Sequence, residues 1–386
     1  MSNFDHYTLY LFLFIGFVFW GKYGSSTKNE INFWMYSLMP ILMYSVITGC
    51  RYGWGPDYPA YKLRLENALT YDEEQLGFKW INQTIKLLDI DYVGGYIIYS
   101  LIFITSAFIL IRSYRKVSSY MYYFLIPATL LFVTSAIRQG LALSFVLLAL
   151  YFLNKKNWLA IVLSVLIGYS IHNSILITVV IIGAVYIFTK KPISWMISIP
   201  LYLFFTFLFD PARIGFISEY ISKYVSLDNS FQGYIDQSDI WFGEEAATDI
   251  YEQSLFALVT SSLFYVSIIY LGYVALKFRS HPHIVYIYNV VVIGIIFYRV
   301  VFTFEILRRM AEPLLMLYFI VLGYAFYIIC TKKVAIYQQF SKNIKNVKSQ
   351  LFPYYKFFIA CTLFYLFLFF GRFIFLNPTA IFYWNK

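Results

Sequence analysis

Two polar groups stand out because each one interrupts a long apolar stretch. Arg138-Gln139 lies within the nearly unbroken apolar sequence 120–153, and His172 follows the next apolar run. Arginine is suited to phosphate because its planar guanidinium donates two parallel hydrogen bonds. Histidine can serve as a general base, since its reference pKa is about 6.5. Together, the two groups predict an anion-binding site beside a group that transfers protons. The alternative for Arg138 is an arginine at the lipid boundary whose side chain extends into water. The alternative for His172 is a polar turn that caps the next helix.

A third group of reactive side chains lies in the segment RYGWGPDYPAY, residues 51–61. Its glycines and first proline favour a tight, non-helical turn. In one interpretation, Arg51 binds an anionic lipid head group and Asp57 orients or deprotonates a hydroxyl. In the other, Arg51 and Asp57 form an ion pair where a helix ends.

A fourth group surrounds a predicted turn late in the chain and consists of Arg299, Glu305, Arg308 and Arg309. Its three arginines, together with Arg51 and Arg138, would make a cationic pocket for a pyrophosphate. Arg308 and Glu312 are also spaced i, i+4, so a simple helix ion pair is the alternative interpretation.

The elements that must position these groups are membrane helices. Apolar residues make up 60% of the chain, charged residues 13%, and the mean hydropathy is +0.66. Apolar runs of about 20 residues are long enough to cross a hydrocarbon core. We predict one transmembrane domain, 1–386, that is all-α and polytopic, with about twelve spans: roughly 7–20, 31–49, 94–112, 119–135, 139–153, 157–171, 173–189, 193–209, 254–277, 284–302, 311–330 and 355–375.

Charge predicts the orientation of these spans. One alternating set of connecting segments carries most of the lysines and arginines, with Glu30 as its acid. By the positive-inside rule this set faces the cytoplasm, so both termini face outward, into the periplasm. Two outward loops, 51–93 and 210–253, are long enough to form structure, and a short helix is expected at 235–252. The net charge of +10 does not indicate nucleic acid, because the basic residues form short clusters that orient the protein.

Several segments, taken in order, resemble the EpsG-like, Wzy-type polysaccharide polymerases. They read RYGWGPDYPAY, EEQLGF, SAIRQGLALSFVLLALYFLNKKNWLAIVLSVLIGYSIHNSILI and RRMAEPLLMLYF. The most specific part is the order R-Q-G, apolar run, basic turn, apolar run, H-x-S, and the resemblance covers roughly residues 31–330. In this chain Glu74 stands further from Gly77-Phe78 than the family usually places its acid. The positions that match the family pattern are Arg51, Asp57, Tyr58, Arg138, Gln139, His172 and Arg308 or Arg309.

The resemblance implies an integral-membrane glycosyltransferase of the bacterial cytoplasmic (inner) membrane. Such enzymes join lipid-linked oligosaccharide repeat units on the outer face, for O-antigen of lipopolysaccharide, capsule or exopolysaccharide; a GT-C-like architecture is one option for the fold. Donor and acceptor would both be carried on polyprenyl (undecaprenyl) diphosphate. A protein that regulates chain length is a further candidate partner.

The chemistry assigns a role to each candidate residue. An acceptor hydroxyl attacks the anomeric carbon and a diphosphate departs, so the main need is preorganised positive charge, which arginine supplies without a metal. Arg138 would stabilise the leaving group, and Asp57 or His172 would take the hydroxyl proton. The expected substrate-binding residues are Arg51, Tyr58, Gln139, Arg299, Glu305, Arg308 and Arg309.

No cofactor or metal is expected. Asp89-Ile-Asp91 is a D-x-D, a pattern of some metal-dependent glycosyltransferases, but an aspartate just before a helical run more often caps the helix. The cysteines show no metal-ligand spacing.

Two other functions remain open. A ligase or another transferase that moves a finished glycan onto a lipid acceptor would use similar outer arginines. A flippase for lipid-linked oligosaccharide needs polar groups deep within its spans. Here the strong charges cluster at span ends on one side, which argues against transport.

Overall fold

The computed structural model describes residues 4–27, 29–53, 55, 57–73, 75–209, 253–302, 305–331, 354–371 and 381–382. This part of the chain is mostly helical. Its α-helices are α1 (Phe4–Ser26), α2 (Glu30–Gly49), α3 (Tyr58–Glu66), α4 (Leu76–Leu87), α5 (Tyr92–Arg112), α6 (Met121–Thr134), α7 (Ile137–Lys155), α8 (Trp158–Ile171), α9 (Ile175–Phe188), α10 (Trp195–Phe207), α11 (Leu255–Phe278), α12 (Pro282–Val300), α13 (Glu305–Met316), α14 (Tyr318–Thr331) and α15 (Tyr355–Gly371). A short 3-10 helix covers Arg115–Val117, and the strands are β1 (Arg51–Tyr52) and β2 (Ile381–Phe382).

The helices account for the apolar runs of the sequence. Six helical segments of the described chain are long and apolar enough to cross a membrane: Glu30–Gly49, Tyr92–Arg112, Ile137–Lys155, Leu255–Phe278, Pro282–Val300 and Leu307–Cys330. Shorter apolar helices lie at Met121–Thr134, Trp158–Ile171, Ile175–Phe188, Trp195–Phe207 and Tyr355–Gly371. The architecture is that of a polytopic helical membrane protein, in agreement with the predicted fold class.

Short polar side chains set several helix starts. The Asp91 carboxylate accepts a hydrogen bond from the Gly94 backbone N–H at 2.8 Å, so this residue of the D-x-D caps α5. Asn157 accepts from the Ala160 N–H at 3.1 Å and caps α8. Each cap satisfies a backbone donor that the first turn of a helix leaves unpaired.

The described residues fall into two compact units. The first lies within Met1–Val180, Tyr318–Lys348 and Leu366–Lys386, and the second within Ile181–Leu317 and Ser349–Tyr365. In the first unit α2 packs on α5, α5 on α7 and α7 on α8, while α14 packs on α6. Close contact between α2 and α5 is possible because Gly49 has no side chain: a Cβ there would lie 2.7 Å from the backbone of Ile97.

In the second unit, α12 is the central helix, since it packs on α10, α11 and α13. The Asn289 side chain holds the connection between α9 and α10: it accepts from the Ile193 N–H and donates to the Lys191 carbonyl, both at 2.9 Å. Asn289 is completely buried, so these bonds fix the connection against α12.

The predicted outward loop 51–93 is structured, because it contains β1, α3 and α4. β1 pairs with β2 in antiparallel register, with Arg51 opposite Phe382. The second predicted outward loop, 210–253, and the short helix expected at 235–252 lie outside the described residues except at Gln253.

Candidate functional site

The turn between α6 and α7 places Arg138 at one end of the first unit. α6 ends at Thr134 and α7 begins at Ile137, so Arg138 is the second residue of α7. The turn is tight: a Cβ at Gly140 would lie 2.3 Å from the carbonyl oxygen of Phe132. The turn that the sequence predicted near Arg138 is therefore confirmed.

The segment that follows α2 packs directly over this turn. Gly55 has a φ of +103°, and a Cβ there would lie 2.1 Å from the carbonyl oxygen of Thr134. Only glycine combines that backbone conformation with so close an approach. The contact fixes Asp57 and the start of α3 beside the start of α7, although the two segments are far apart in sequence.

The centre of the candidate site is the Glu73 carboxylate, which joins two arginines. Its Oε1 lies 2.9 Å from Nη1 of Arg138, and its Oε2 lies 2.9 Å from Nη1 of Arg64. The Glu73 side chain is 6% exposed, whereas each arginine side chain is 23% exposed. One carboxylate thus orients two guanidinium groups that still reach solvent.

Tyr61 lies beside the arginine cluster, which we define as Arg64, Glu73 and Arg138. The Arg138 backbone N–H donates to the Tyr61 hydroxyl at 3.4 Å, and the Arg64 guanidinium lies 5.5 Å from the centre of the Tyr61 ring. Burial raises the pKa of Tyr61, and Asp57 acts in the same direction, while Arg138 opposes the shift. Tyr61 is therefore a neutral phenol near pH 7, able to donate a hydrogen bond.

Arg51 is more deeply buried than we expected for a residue predicted to bind a lipid head group. It is 1% exposed, and its guanidinium donates to the carbonyl oxygen of Thr48. The guanidinium also lies 5.1 Å from the centre of the Tyr96 ring, and burial lowers the pKa of Arg51. The hydroxyl of Tyr96 donates to the Tyr58 carbonyl at 2.7 Å. Arg51 and Tyr58, both predicted to bind substrate, are therefore buried together with Tyr96 of α5 in this structure.

His172 lies at the end of α8, where its Nδ1 accepts a hydrogen bond from the Ser174 backbone N–H at 3.5 Å. The first turn of α4 packs on this helix end, since a Cβ at Gly77 would lie 2.2 Å from the Ser170 hydroxyl. Gln139 follows Arg138 in α7 and is buried. The structure thus gathers the Gly77-Phe78 motif and the end of α8 on the same unit as the arginine cluster.

The later candidates belong to the second unit. Arg299 lies in the last turn of α12, with its guanidinium 4.6 Å from the centre of the Phe302 ring. Nε of Arg308 lies 3.5 Å from Oε1 of Glu312, so the helix ion pair considered from the sequence is present. Arg309 is exposed. Glu305 begins α13, but its side chain is outside the described part of the structure. Whether these arginines join Arg51 and Arg138 in one pocket stays a prediction.

The arginine cluster can bind an anion. Two guanidinium groups and one carboxylate leave one net positive charge, and each guanidinium meets Glu73 through Nη1, so it has further N–H donors for an anion. A phosphate or diphosphate presents pairs of oxygen acceptors that can each receive two parallel hydrogen bonds from a guanidinium. Within the described residues, no group of three or more His, Cys, Asp or Glu could hold a metal ion.

Sequence reasoning missed Arg64, Tyr61 and Glu73. The spacing of Tyr61 and Arg64, three residues apart on a short helix, was a usable signal, because it puts both on one helical face. No pattern in the sequence distinguished Glu73 from its neighbour Glu74, because the burial of a side chain in a loop depends on tertiary packing.

Comparison with known protein families agrees with the segments that carried the resemblance. The EpsG family model matches residues 34–340, which include Arg51, Glu73, Arg138 and His172. No curated protein and no solved structure matches the chain. Because the match extends over most of the 386 residues, this chain belongs to the EpsG family, a family of Wzy-like polysaccharide polymerases.

Proposed function

We propose that this protein is a membrane glycosyltransferase that polymerises oligosaccharide repeat units carried on polyprenyl diphosphate. Membership of the EpsG family supports polysaccharide polymerisation in general. The observation that carries the more specific proposal is the arginine cluster, in which a buried carboxylate holds two partly exposed guanidinium groups.

The cluster suits the most demanding event of this reaction, the departure of the diphosphate. As the bond between the anomeric carbon and the diphosphate oxygen breaks, negative charge develops on that oxygen. Arg64 on α3 and Arg138 on α7 already converge at one point, so the helices that carry them need not move to stabilise this charge. Tyr61 lies beside both arginines and can donate a hydrogen bond to the same oxygens or to a sugar hydroxyl.

The second requirement is a group that accepts the proton of the attacking hydroxyl. Asp57 stands directly before α3, close enough to Tyr61 to affect its pKa, and His172 lies at the end of α8. These are the two candidates for the base that the sequence predicted.

We further propose a topology of about twelve spans, with the arginine cluster on the outer face of the cytoplasmic membrane and both termini outward. The support is the alternation of basic and acidic connecting segments. α5 and α7 run in the same direction in such a topology, because α6 lies between them, so Asp91 before α5 and Arg138 at the start of α7 fall on the same side. Lys155, at the other end of α7, then falls in the cytoplasm.

The proposal is tested by deleting the gene and by reconstituting the purified protein. Deletion should replace the ladder of long surface glycans with a single repeat unit, and restoring the gene should restore the ladder. In vesicles, the protein should convert lipid-linked repeat units to longer lipid-linked chains.

The product of the vesicle assay distinguishes a polymerase from a ligase and from a flippase. A ligase would transfer one finished glycan to a different lipid and would form no ladder from repeat units alone. A flippase would move the lipid-linked unit across the vesicle membrane without lengthening it. Either result would contradict the polymerase assignment.

A further inference from the structure

Glu73 is the residue that joins both arginines of the cluster. Both of its carboxylate oxygens are occupied by arginines, each at 2.9 Å. The arginines that it occupies are those proposed above to bind the substrate diphosphate. A diphosphate that binds at Nη1 of either arginine must therefore displace the Glu73 carboxylate.

We propose that Glu73 is the general base of the reaction, and that Arg64 and Arg138 hold it inactive until a diphosphate takes its place. The inference rests on the proposed function, because it assumes that the diphosphate of a lipid-linked donor binds at these arginines. In the unliganded protein each carboxylate oxygen accepts a hydrogen bond from a guanidinium N–H group, so the carboxylate is held against the two arginines. When the donor binds, the arginines exchange one anion for another and the carboxylate is released.

The position of Glu73 in the fold allows this release. It lies between α3 and α4 in a segment that is neither helix nor strand, whereas Arg64 is on α3 and Arg138 on α7. A glutamate side chain has rotatable bonds that can turn the freed carboxylate away from the arginines while the helices stay in place. The base and the arginines that stabilise the leaving group therefore belong to one cluster. This arrangement makes the base available only when the lipid-linked glycan donor is bound.

The reaction then balances as follows. An acceptor hydroxyl oxygen forms a bond to the anomeric carbon of the donor glycan. Its proton passes to the Glu73 carboxylate, while the bond from the anomeric carbon to the diphosphate oxygen breaks. The electron pair of that bond stays with the departing polyprenyl diphosphate, which Arg64 and Arg138 neutralise. No oxidant, reductant or metal is needed.

Glu73→Gln is the decisive variant because glutamine has nearly the same shape but no negative charge and no basic oxygen. The first measurement is the affinity of the purified full-length protein for a polyprenyl diphosphate that carries no glycan. The second is the rate of polymerisation of lipid-linked repeat units. We expect Glu73→Gln to bind the diphosphate about fivefold more tightly, the factor for a partly exposed ion pair. We expect its turnover to fall about 10²–10⁴-fold, the usual contribution of a general base.

Tighter binding combined with lost turnover separates this role from a structural one. If Glu73 only positions the arginines, Glu73→Gln should bind the diphosphate more weakly, and that result would overturn the inference. Polymerisation at a rate near that of the natural protein would overturn it as well. The matched control is Glu66→Gln, which removes an exposed carboxylate of α3 that pairs with Lys62; it should change neither measurement.

Glu73→Asp provides a second route if Glu73→Gln does not fold. Aspartate keeps the carboxylate but is one methylene shorter, so it loosens the two ion pairs. We expect tighter diphosphate binding with more turnover than Glu73→Gln retains; turnover as low as that of Glu73→Ala would count against a base at this position. If the natural protein itself forms no polymer, the proposed function fails, while the binding measurements still report whether Glu73 competes with a diphosphate.

Discussion

Replacing Arg138 by alanine separates the catalytic role of the arginine cluster from its contribution to stability. The change removes the bond from Nη1 of Arg138 to Glu73 and leaves the carboxylate with Arg64 alone. A matched control is Arg112→Ala, because Arg112, in the last turn of α5, also pairs with a glutamate, Glu30 of α2. Both changes remove one arginine and one ion pair. In the proposed topology Arg138 lies on the outer side of the membrane and Arg112 on the cytoplasmic side.

The expected loss of stability from Arg138→Ala is modest. A hydrogen bond to a charged group contributes roughly 1.5–3 kcal/mol when it is buried. The Arg138 side chain is 23% exposed, so water replaces part of the lost bond. We therefore expect the free energy of unfolding to fall by about 1–2 kcal/mol, which is small beside the roughly 5–15 kcal/mol of a typical folded domain. The variant should still insert into the membrane and fold.

The expected loss of activity is larger. Removing one preorganised donor that stabilises developing negative charge typically lowers the rate about 10²–10³-fold, equivalent to roughly 2.7–4 kcal/mol. Arg138→Lys should lie between alanine and arginine, because lysine keeps the positive charge but cannot form two parallel hydrogen bonds to a phosphate. Arg112→Ala should polymerise within about a factor of two of the natural protein, since it touches no part of the cluster.

The assay is polymerisation of lipid-linked repeat units in vesicles, with products separated by length on a gel. Thermal unfolding of the same preparations reports stability. A long-chain ladder from Arg138→Ala at a rate close to that of the natural protein would refute the reasoning. An equal loss of activity in Arg112→Ala would refute it too, because the effect would then follow from any broken arginine–glutamate pair.

Three further predictions concern the scaffold and the topology. Gly55→Ala should destabilise the protein by about 1–3 kcal/mol more than Gly53→Ala. Both glycines have positive φ, but a Cβ at Gly55 would lie 2.1 Å from a carbonyl oxygen of the α6–α7 turn, whereas nothing lies within 4 Å of a Cβ at Gly53. Equal melting temperatures of the two variants would contradict this contact. Asn289→Ala should cost roughly 2–3 kcal/mol in thermal unfolding, because two buried hydrogen bonds to the α9–α10 connection are lost, and a change below about 0.5 kcal/mol would show that the connection is held in another way. Cysteine placed at Asp57 or His172, in a chain without its native cysteines, should react with an impermeant thiol reagent added outside the cell, and reaction from the cytoplasmic side alone would reverse the proposed topology.

Local features of the sequence predicted much of the fold. The predicted spans 119–135 and 139–153 implied a turn before Arg138, and in the structure α6 ends at Thr134 and α7 begins at Ile137. The cap at Asp91 followed from a carboxylate just before a helical run, where an unpaired backbone N–H awaits an acceptor. Such features depend only on neighbours in the chain.

The arginine cluster shows where sequence reasoning stopped. Arg138 was predicted as a phosphate-binding residue, and the structure gives it a partner, Glu73, that no pattern distinguished from Glu74. Arg51 is also an arginine that was predicted to bind an anion, yet it is buried among tyrosines and is 1% exposed. Type and spacing cannot tell an arginine that faces solvent from one that supports a core.

The sequence by itself determined that this chain consists of apolar helices, where most of them begin and end, and which family it belongs to, because hydrophobic runs, caps and motif order are read along the chain. Tertiary structure alone decided that Arg64, Glu73 and Arg138 meet. Their contact depends on the packing of α3 over the α6–α7 turn, which a glycine makes possible at Gly55, and on which way each side chain points once the helices are packed.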